Sequence, residues 1–325
     1  MLKFSKANAK LDQLHDVDEL RYWLQNNRKV HSFDLISGWS CPQAEACLSK
    51  VHQINGKRKI KDGKKCEFRC FSASQEALFP NVYNKRMENF IDLKSMGSSY
   101  DMACAIADVM PANLGICRIH VAGDFFNQKY FRAWQYIAEW YSDRLFYAYT
   151  KSLNFWLDDL EHLPKNLVLT ASRGGRLDHK IDEHNLREAV VVYSEQQADD
   201  LGLVIDHDDS HAAIPSQRNN SFALLIHGTQ PKGSKASEAI RELKKNKVKF
   251  SYSKKKLKAN LTKMLNNKKG FISQYAMNNE FEEPIFRELD KKSNLTSGNV
   301  IKSEKVSIAG KTKITIEEEP TLQIV

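Results

Sequence analysis

From residue 117 onward, short apolar runs alternate with amphipathic stretches, and this rhythm restricts the possible folds more than any other property of the chain. Residues 117–122, 145–149, 167–170, 189–193 and 222–226 are near-continuous apolar segments, the pattern of strands buried on both faces. Between them, residues 128–140, 153–160 and 195–201 carry helical spacing, and 234–245 follows the last strand with another helix. Strand and helix in strict alternation give a parallel sheet with helical crossovers. Five to six such units fall short of the eight of a closed barrel, so the expected fold is α/β, a partial, open parallel β/α barrel. Ahead of it, residues 8–27 read as one or two helices and 31–36 as a strand. Residues 74–93 and 98–109 follow as helices, the first interrupted at Pro80 and the second ended by Pro111. The expected organisation is an N-terminal helical segment over 1–30, a Cys-rich loop and α/β core over 31–230, a basic helical extension over 231–270, and a tail over 271–325. That tail carries a candidate hairpin turning at Ala309-Gly310.

Four of the six cysteines, Cys41, Cys47, Cys66 and Cys70, lie between the first strand and the first long helix. The N-terminus shows no apolar leader and no stretch reaches membrane-span length, so the expected setting is a reducing cytoplasm without membrane insertion. There, clustered thiols serve metals rather than disulfides. The spacing is C-x5-C, eighteen residues, then C-x3-C. The second pair suits zinc, whereas the first is wider than a zinc knuckle and suits a loop wrapped around an iron–sulfur cluster. Cys104 and Cys117 sit among apolar neighbours and read as small core residues.

In parallel sheets, ligands gather where strands end. The residues just after the strands are polar here: Gly123 and Asp124; Lys151; Ser172 and Arg173; Ser194; His227. Asp and Ser also cap helices, but five such turns on one rim favour a shared pocket. Lys151, Arg173 and His227 are the candidate catalytic side chains, and Gly123, Asp124, Ser172 and Ser194 the candidate cofactor contacts. His120, inside a strand, reads as a core residue. The run containing Asp206, His207, Asp208, Asp209 and His211 reads as a solvated loop in preference to a metal site.

Charge is concentrated. The chain's net charge is +9, yet residues 229–270 alone hold 14 Lys or Arg against Glu238 and Glu242. This segment, with the lysine-rich stretch 57–65 between the cysteines, offers either a well-solvated face or a contact for nucleic acid.

The segments around Cys41-Pro42, Cys47 and Cys70-Phe71-Ser72-Ala73, with 118–126, 146–152 and 169–175, resemble the phage family known as Gene product 88. Those proteins look like relatives of radical-SAM half-barrels. The resemblance implies a [4Fe–4S] cluster on the N-terminal cysteines and S-adenosylmethionine with its ammonium group at the Gly123-Asp124 turn. Cys66 departs from that pattern, and as a fourth ligand it would leave no iron open. Zinc remains the alternative metal, and a metal-stabilised nucleic-acid-binding protein without catalysis the alternative function.

Overall fold

The computed structural model describes residues 1–248 and two strands near the C-terminus, 303–308 and 311–316. The chain divides into two compact units, Met1–Lys258 and Ala259–Val325. In the second, two six-residue strands pair antiparallel as a hairpin closing between Ile308 and Lys311. The remainder of the expected basic extension and tail, 249–302, 309–310 with the expected turn at Ala309-Gly310, and 317–325, lies outside the described residues.

The first unit is organised by one eight-stranded sheet. Its strands in chain order are β1 (Ser5–Lys6), β2 (Lys29–Phe33), β5 (Leu114–Ile119), β6 (Leu145–Thr150), β7 (Leu167–Ser172), β8 (Glu188–Val192), β9 (Val204–Ile205) and β10 (Phe222–Leu225). Strands β3 (Ser49–Ile54) and β4 (Lys57–Asp62) form a separate antiparallel hairpin. The sheet order is β1-β2-β5-β6-β7-β8-β10-β9, with only β1 antiparallel. From β2 to β8 each strand lies beside its predecessor in the sheet, so the chain winds in one direction. Right-handed crossovers then place the connecting helices on one face, the arrangement of a barrel that has not closed. The open α/β fold expected from the alternation is the fold observed.

The helices are α1 (Arg21–Leu24), α2 (Phe71–Leu78), α3 (Pro80–Ser95), α4 (Ser99–Asp108), α5 (Gln128–Trp140), α6 (Leu153–Asp158), α7 (His179–Glu183), α8 (Glu195–Asp200), α9 (Ser210–Ala213) and α10 (Lys235–Lys245). Pro80 starts α3, where its missing N–H costs no hydrogen bond. Residues 8–27 are not one or two regular helices but two 3-10 turns and the single turn of α1, because Val17 adopts an extended conformation between them.

Alternate residues of the strands serve two cores. Phe33, Cys117, Ile119, Phe146, Ala148, Leu167 and Leu169 pack against Met102, Ile106, Phe131 and Trp134 of α4 and α5. Val30, Ile116, Leu145, Tyr147, Val168 and Phe222 point the other way. There the N-terminal 3-10 turns (Leu11, Leu14) and α9 (Ala212, Ala213) cover them. Cys117 is a buried core residue, as expected.

Candidate thiol site at the strand ends

The cysteine loop lies across the carboxyl ends of the sheet because backbone hydrogen bonds attach it there. Glu45 and Ala46 donate their N–H groups to Gly174 O at 3.3 and 2.9 Å, and Arg176 N donates to Gln43 O at 2.9 Å. Two glycines permit this contact. Gly174 has φ +98°, and a Cβ there would lie 3.0 Å from Ala46 Cβ; Gly123 has φ +95°, and a Cβ would lie 2.7 Å from Leu35 Cβ and Ser40 Oγ. The other wall is the start of α2, where Cys70 occupies the N-cap position. Glu76 of α2 is fully buried; it accepts from Ser37 N at 3.1 Å, Ser37 Oγ at 2.5 Å and Arg86 Nη1 at 3.0 Å. The turn leading into Cys41 is thereby pinned to α2 and α3.

Within this frame the thiols feel one another's charge. Burial raises the Cys41 thiol well above its ordinary value, and the charges of Asp124, Cys70 and Cys47 push it further, against a 3.3 Å hydrogen bond from Gly38 N. Cys70 is pushed up to about 12 by burial and by Cys47 and Glu76, while the N–H groups of Ser72 and Ala73 at the helix start act in the opposite sense. Cys41, Cys47 and Cys70 therefore form one electrostatic group with Asp124. Cys66 stands at its margin: it senses Cys47, gives its S–H to Phe68 O at 3.2 Å and lies 3.8 Å from Ser49 Oγ. All four cysteines are free thiols.

Asp124 joins two strand ends. Its carboxylate accepts from Phe125 N at 2.7 Å, Thr150 Oγ1 at 2.6 Å and Lys151 N at 2.9 Å. Burial raises its carboxyl to about 6, even though those three donors favour the charged form. The Lys151 ammonium is enclosed by Ser172 O (2.7 Å), Ser172 Oγ (3.0 Å) and Arg173 O (2.7 Å), so it ties β6 to the end of β7. Arg173 is held by Glu188 and, at 2.7 Å, by Asp182. Ser194 caps α8 through Gln197 N. His227 directs Nδ1 to Leu225 O at 3.1 Å and rests its ring 4.9 Å from that of Phe71, beside a cleft of about 210 Å³ with Ser74, Gln75 and Thr229. Burial lowers its imidazole below the ordinary value. Of the sequence candidates, Cys41 feels the charges of Cys47, Cys70 and Asp124, whereas Arg173 and Ser194 are engaged in local ion pairing and capping.

The run from Asp206 to His211 is not a solvated loop. Asp209 and Asp206 are buried, although His207 between them is exposed. Asp209 pairs with Arg118 and, at 2.5 Å, with Lys10, and accepts from Tyr147 Oη at 3.1 Å; Asp206 lies 3.3 Å from His211 Nδ1. Burial alone would raise the Asp209 carboxyl, but Arg118 and Lys10 outweigh it and hold the group below the usual carboxylate range. Sequence reasoning missed this cluster because its cations lie 199 and 91 residues away.

Comparison with known families agrees with the arrangement of motifs. The family model described as Gene product 88 matches residues 2–265. The chain belongs to the Gene product 88 family. No curated protein and no solved structure matches this Gene product 88 chain. Among the described residues, no group of three or more His, Cys, Asp or Glu side chains is placed to hold one metal ion, and no helix is long and apolar enough to cross a membrane. A single zinc needs its sulfurs within a tetrahedron of about 2.3 Å bonds. An iron–sulfur cluster carries several irons and inorganic sulfides between its ligands and so accepts thiolates set further apart. The donor set, four free soft thiols, is of the chemical type that both zinc and iron–sulfur clusters take.

Proposed function

We propose that this Gene product 88 protein holds a [4Fe–4S] cluster on Cys41, Cys47 and Cys70 and works as a radical-SAM-like enzyme at the strand ends. What supports the reading is that Cys41, Cys47 and Cys70 are free thiols, that Cys41 and Cys70 both feel the charge of Cys47, and that Cys41 also feels Asp124. The Cys41 and Cys70 thiols both resist ionisation, so a cationic inorganic centre is what would make them stable thiolates. When bound, such a cluster with one iron free of protein ligands supplies reductive cleavage of S-adenosylmethionine.

The chain's own residues hold the surrounding geometry. Asp124 binds the turn after β5 to the turn after β6 next to Cys41, and the Gly123-Asp124 turn is the group that would meet the ammonium of S-adenosylmethionine. Lys151, fastened to Ser172 and Arg173, fixes the end of β7, on which Ala46 and its neighbour Cys47 are carried. Glu76 fixes the Ser37 turn and sets a negative charge beside Cys70.

The test is iron and acid-labile sulfide content after anaerobic purification or reconstitution. Replacing Cys41, Cys47 or Cys70 with Ser is expected to remove most of the iron, and Cys66→Ser to leave it in place. If Cys66→Ser also empties the site, the cluster has four protein ligands and no open iron, and the radical-SAM reading fails. If none of the four changes iron content, the cluster reading fails.

A further inference from the structure

The lysine-rich stretch between the cysteines belongs to the β3–β4 hairpin, closed by Asn55-Gly56 with both residues at positive φ. Its register separates two faces. Val51, paired with Ile60, is buried, and Arg58 donates to Glu76 O and Ala77 O at 3.1 and 3.2 Å, so this side docks on α2. The opposite side pairs Lys50 with Lys61, His52 with Lys59 and Ile54 with Lys57. Placing like charges directly opposite one another destabilises a sheet. Among the described residues, none of these four lysines has an ion-pair partner, and Lys57, Lys59 and Lys61 are exposed. Asp62, the hairpin's own carboxylate, belongs to the docked side and is occupied by Arg69.

An aromatic ring completes the basic face. Trp39 remains 40% exposed, held by an Nε1–H bond to Val51 O at 3.0 Å, with Lys50 Nζ 4.7 Å and the His52 ring 5.0 Å from its ring centroid. A row of uncompensated cations tracks a phosphate backbone, and a fixed exposed indole offers a stacking surface for an unpaired base. Trp39 also precedes Cys41 by two residues, in the turn whose Gly38 N–H bonds the Cys41 sulfur.

We infer that the outward face of the β3–β4 hairpin, together with Trp39, binds single-stranded nucleic acid beside the thiol site. The face commits to a single strand because stacking on Trp39 needs a base free of its pair. Recognition is independent of sequence, since lysines meet phosphates and an indole stacks on any base. The inference stands on the hairpin alone and does not require a cluster.

The experiment is fluorescence anisotropy of the full chain with labelled mixed-sequence single-stranded RNA and DNA 20-mers, titrated across a range of salt. Wild-type binding is expected to weaken steeply with salt. The triple variant Lys57→Ala, Lys59→Ala, Lys61→Ala should bind about tenfold or more weakly, and its log–log salt slope should fall by about 2, three contacts at roughly 0.7 each. Trp39→Leu should lose about tenfold on single strands. Lys244→Ala with Lys245→Ala in α10 is the control and should bind like wild type. Overturning results are an unchanged slope in the triple variant, loss confined to the α10 variant, or binding to anionic lipid vesicles with none to either oligonucleotide. Iron measured on the same preparations separates the two claims: iron-free protein that still needs the hairpin for binding sustains this inference while removing the cluster.

Discussion

Asp209→Asn is the sharpest test of the buried charge network behind the sheet. The Asp209 side chain is 1% exposed and faces Arg118, 13% exposed, and Lys10, 34% exposed. Asparagine keeps the shape and an acceptor for one tyrosine hydroxyl but removes the charge. Arg118, whose Nε already has no partner among the described residues, then sits buried without its counter-ion. Removing one member of a buried pair costs about 3–5 kcal/mol. For a unit of this size each kcal/mol lowers Tm by about 2–4 °C, so the expected fall is roughly 6–20 °C. Thermal unfolding followed by circular dichroism at pH 7 measures it. Lys10→Met should cost about 1 kcal/mol or less, because that ammonium reaches solvent. Arg118→Met added to Asp209→Asn should recover part of the loss, since the stranded cation is gone. The pH arm has a defined sign. Asp209 is held below its unfolded value, so its contribution is present above about pH 4 and lost as pH falls below it. The gap between wild type and variant should therefore narrow in acid. A Tm change under about 2 °C at pH 7, or a gap that widens in acid, would refute the reasoning.

Other outcomes follow from the thiol site. Gly174→Ala forces a side chain onto φ +98° and into Ala46, costing about 1–3 kcal/mol, and should also lower iron content because Ala46 carries Cys47. Gly56→Ala, where a Cβ meets nothing within 4 Å, should cost conformational energy alone and keep its iron; equal iron in both variants would contradict the role given to Gly174. Asp124, raised to about 6 when folded, favours the native state only while protonated, so stability is lost as pH rises through about 4 to 6. Across that window Asp124→Asn should gain on wild type by about 3 kcal/mol in metal-free protein, read from urea midpoints; a flat difference would show that the carboxyl is not buried as described.

What the sequence disclosed, and what it concealed, follows from how far each interaction reaches. Strands β5 to β8 and β10 were legible because burial on both faces leaves near-continuous apolar runs, and Pro80 marked the start of α3 locally. The β3–β4 hairpin was not recognised: alternating lysines hide the period-two pattern, and only Val51 and Ile60 reveal a docked side. The turn at Asn55-Gly56 was legible; the paired strands on either side of it were not. Asp206 and Asp209 read as surface residues because an isolated carboxylate belongs in water, and nothing nearby announced Lys10 or Arg118. For the candidate site, thiol clustering and the strand-end turn at Asp124 were visible as local motifs. That Lys151 is enclosed by carbonyl oxygens and Arg173 paired with Glu188 depended on neighbouring strands, which a single segment does not encode.

The central claim is that Cys41, Cys47 and Cys70 share one iron–sulfur centre with an open iron. Electron paramagnetic resonance of anaerobically reduced protein, recorded with and without S-adenosylmethionine, tests it most directly. The account predicts a cluster signal, with about four irons and four sulfides per chain, that shifts when S-adenosylmethionine is added and disappears in Cys41→Ser. A colourless protein holding one tightly bound zinc, or a cluster signal indifferent to S-adenosylmethionine, would contradict it.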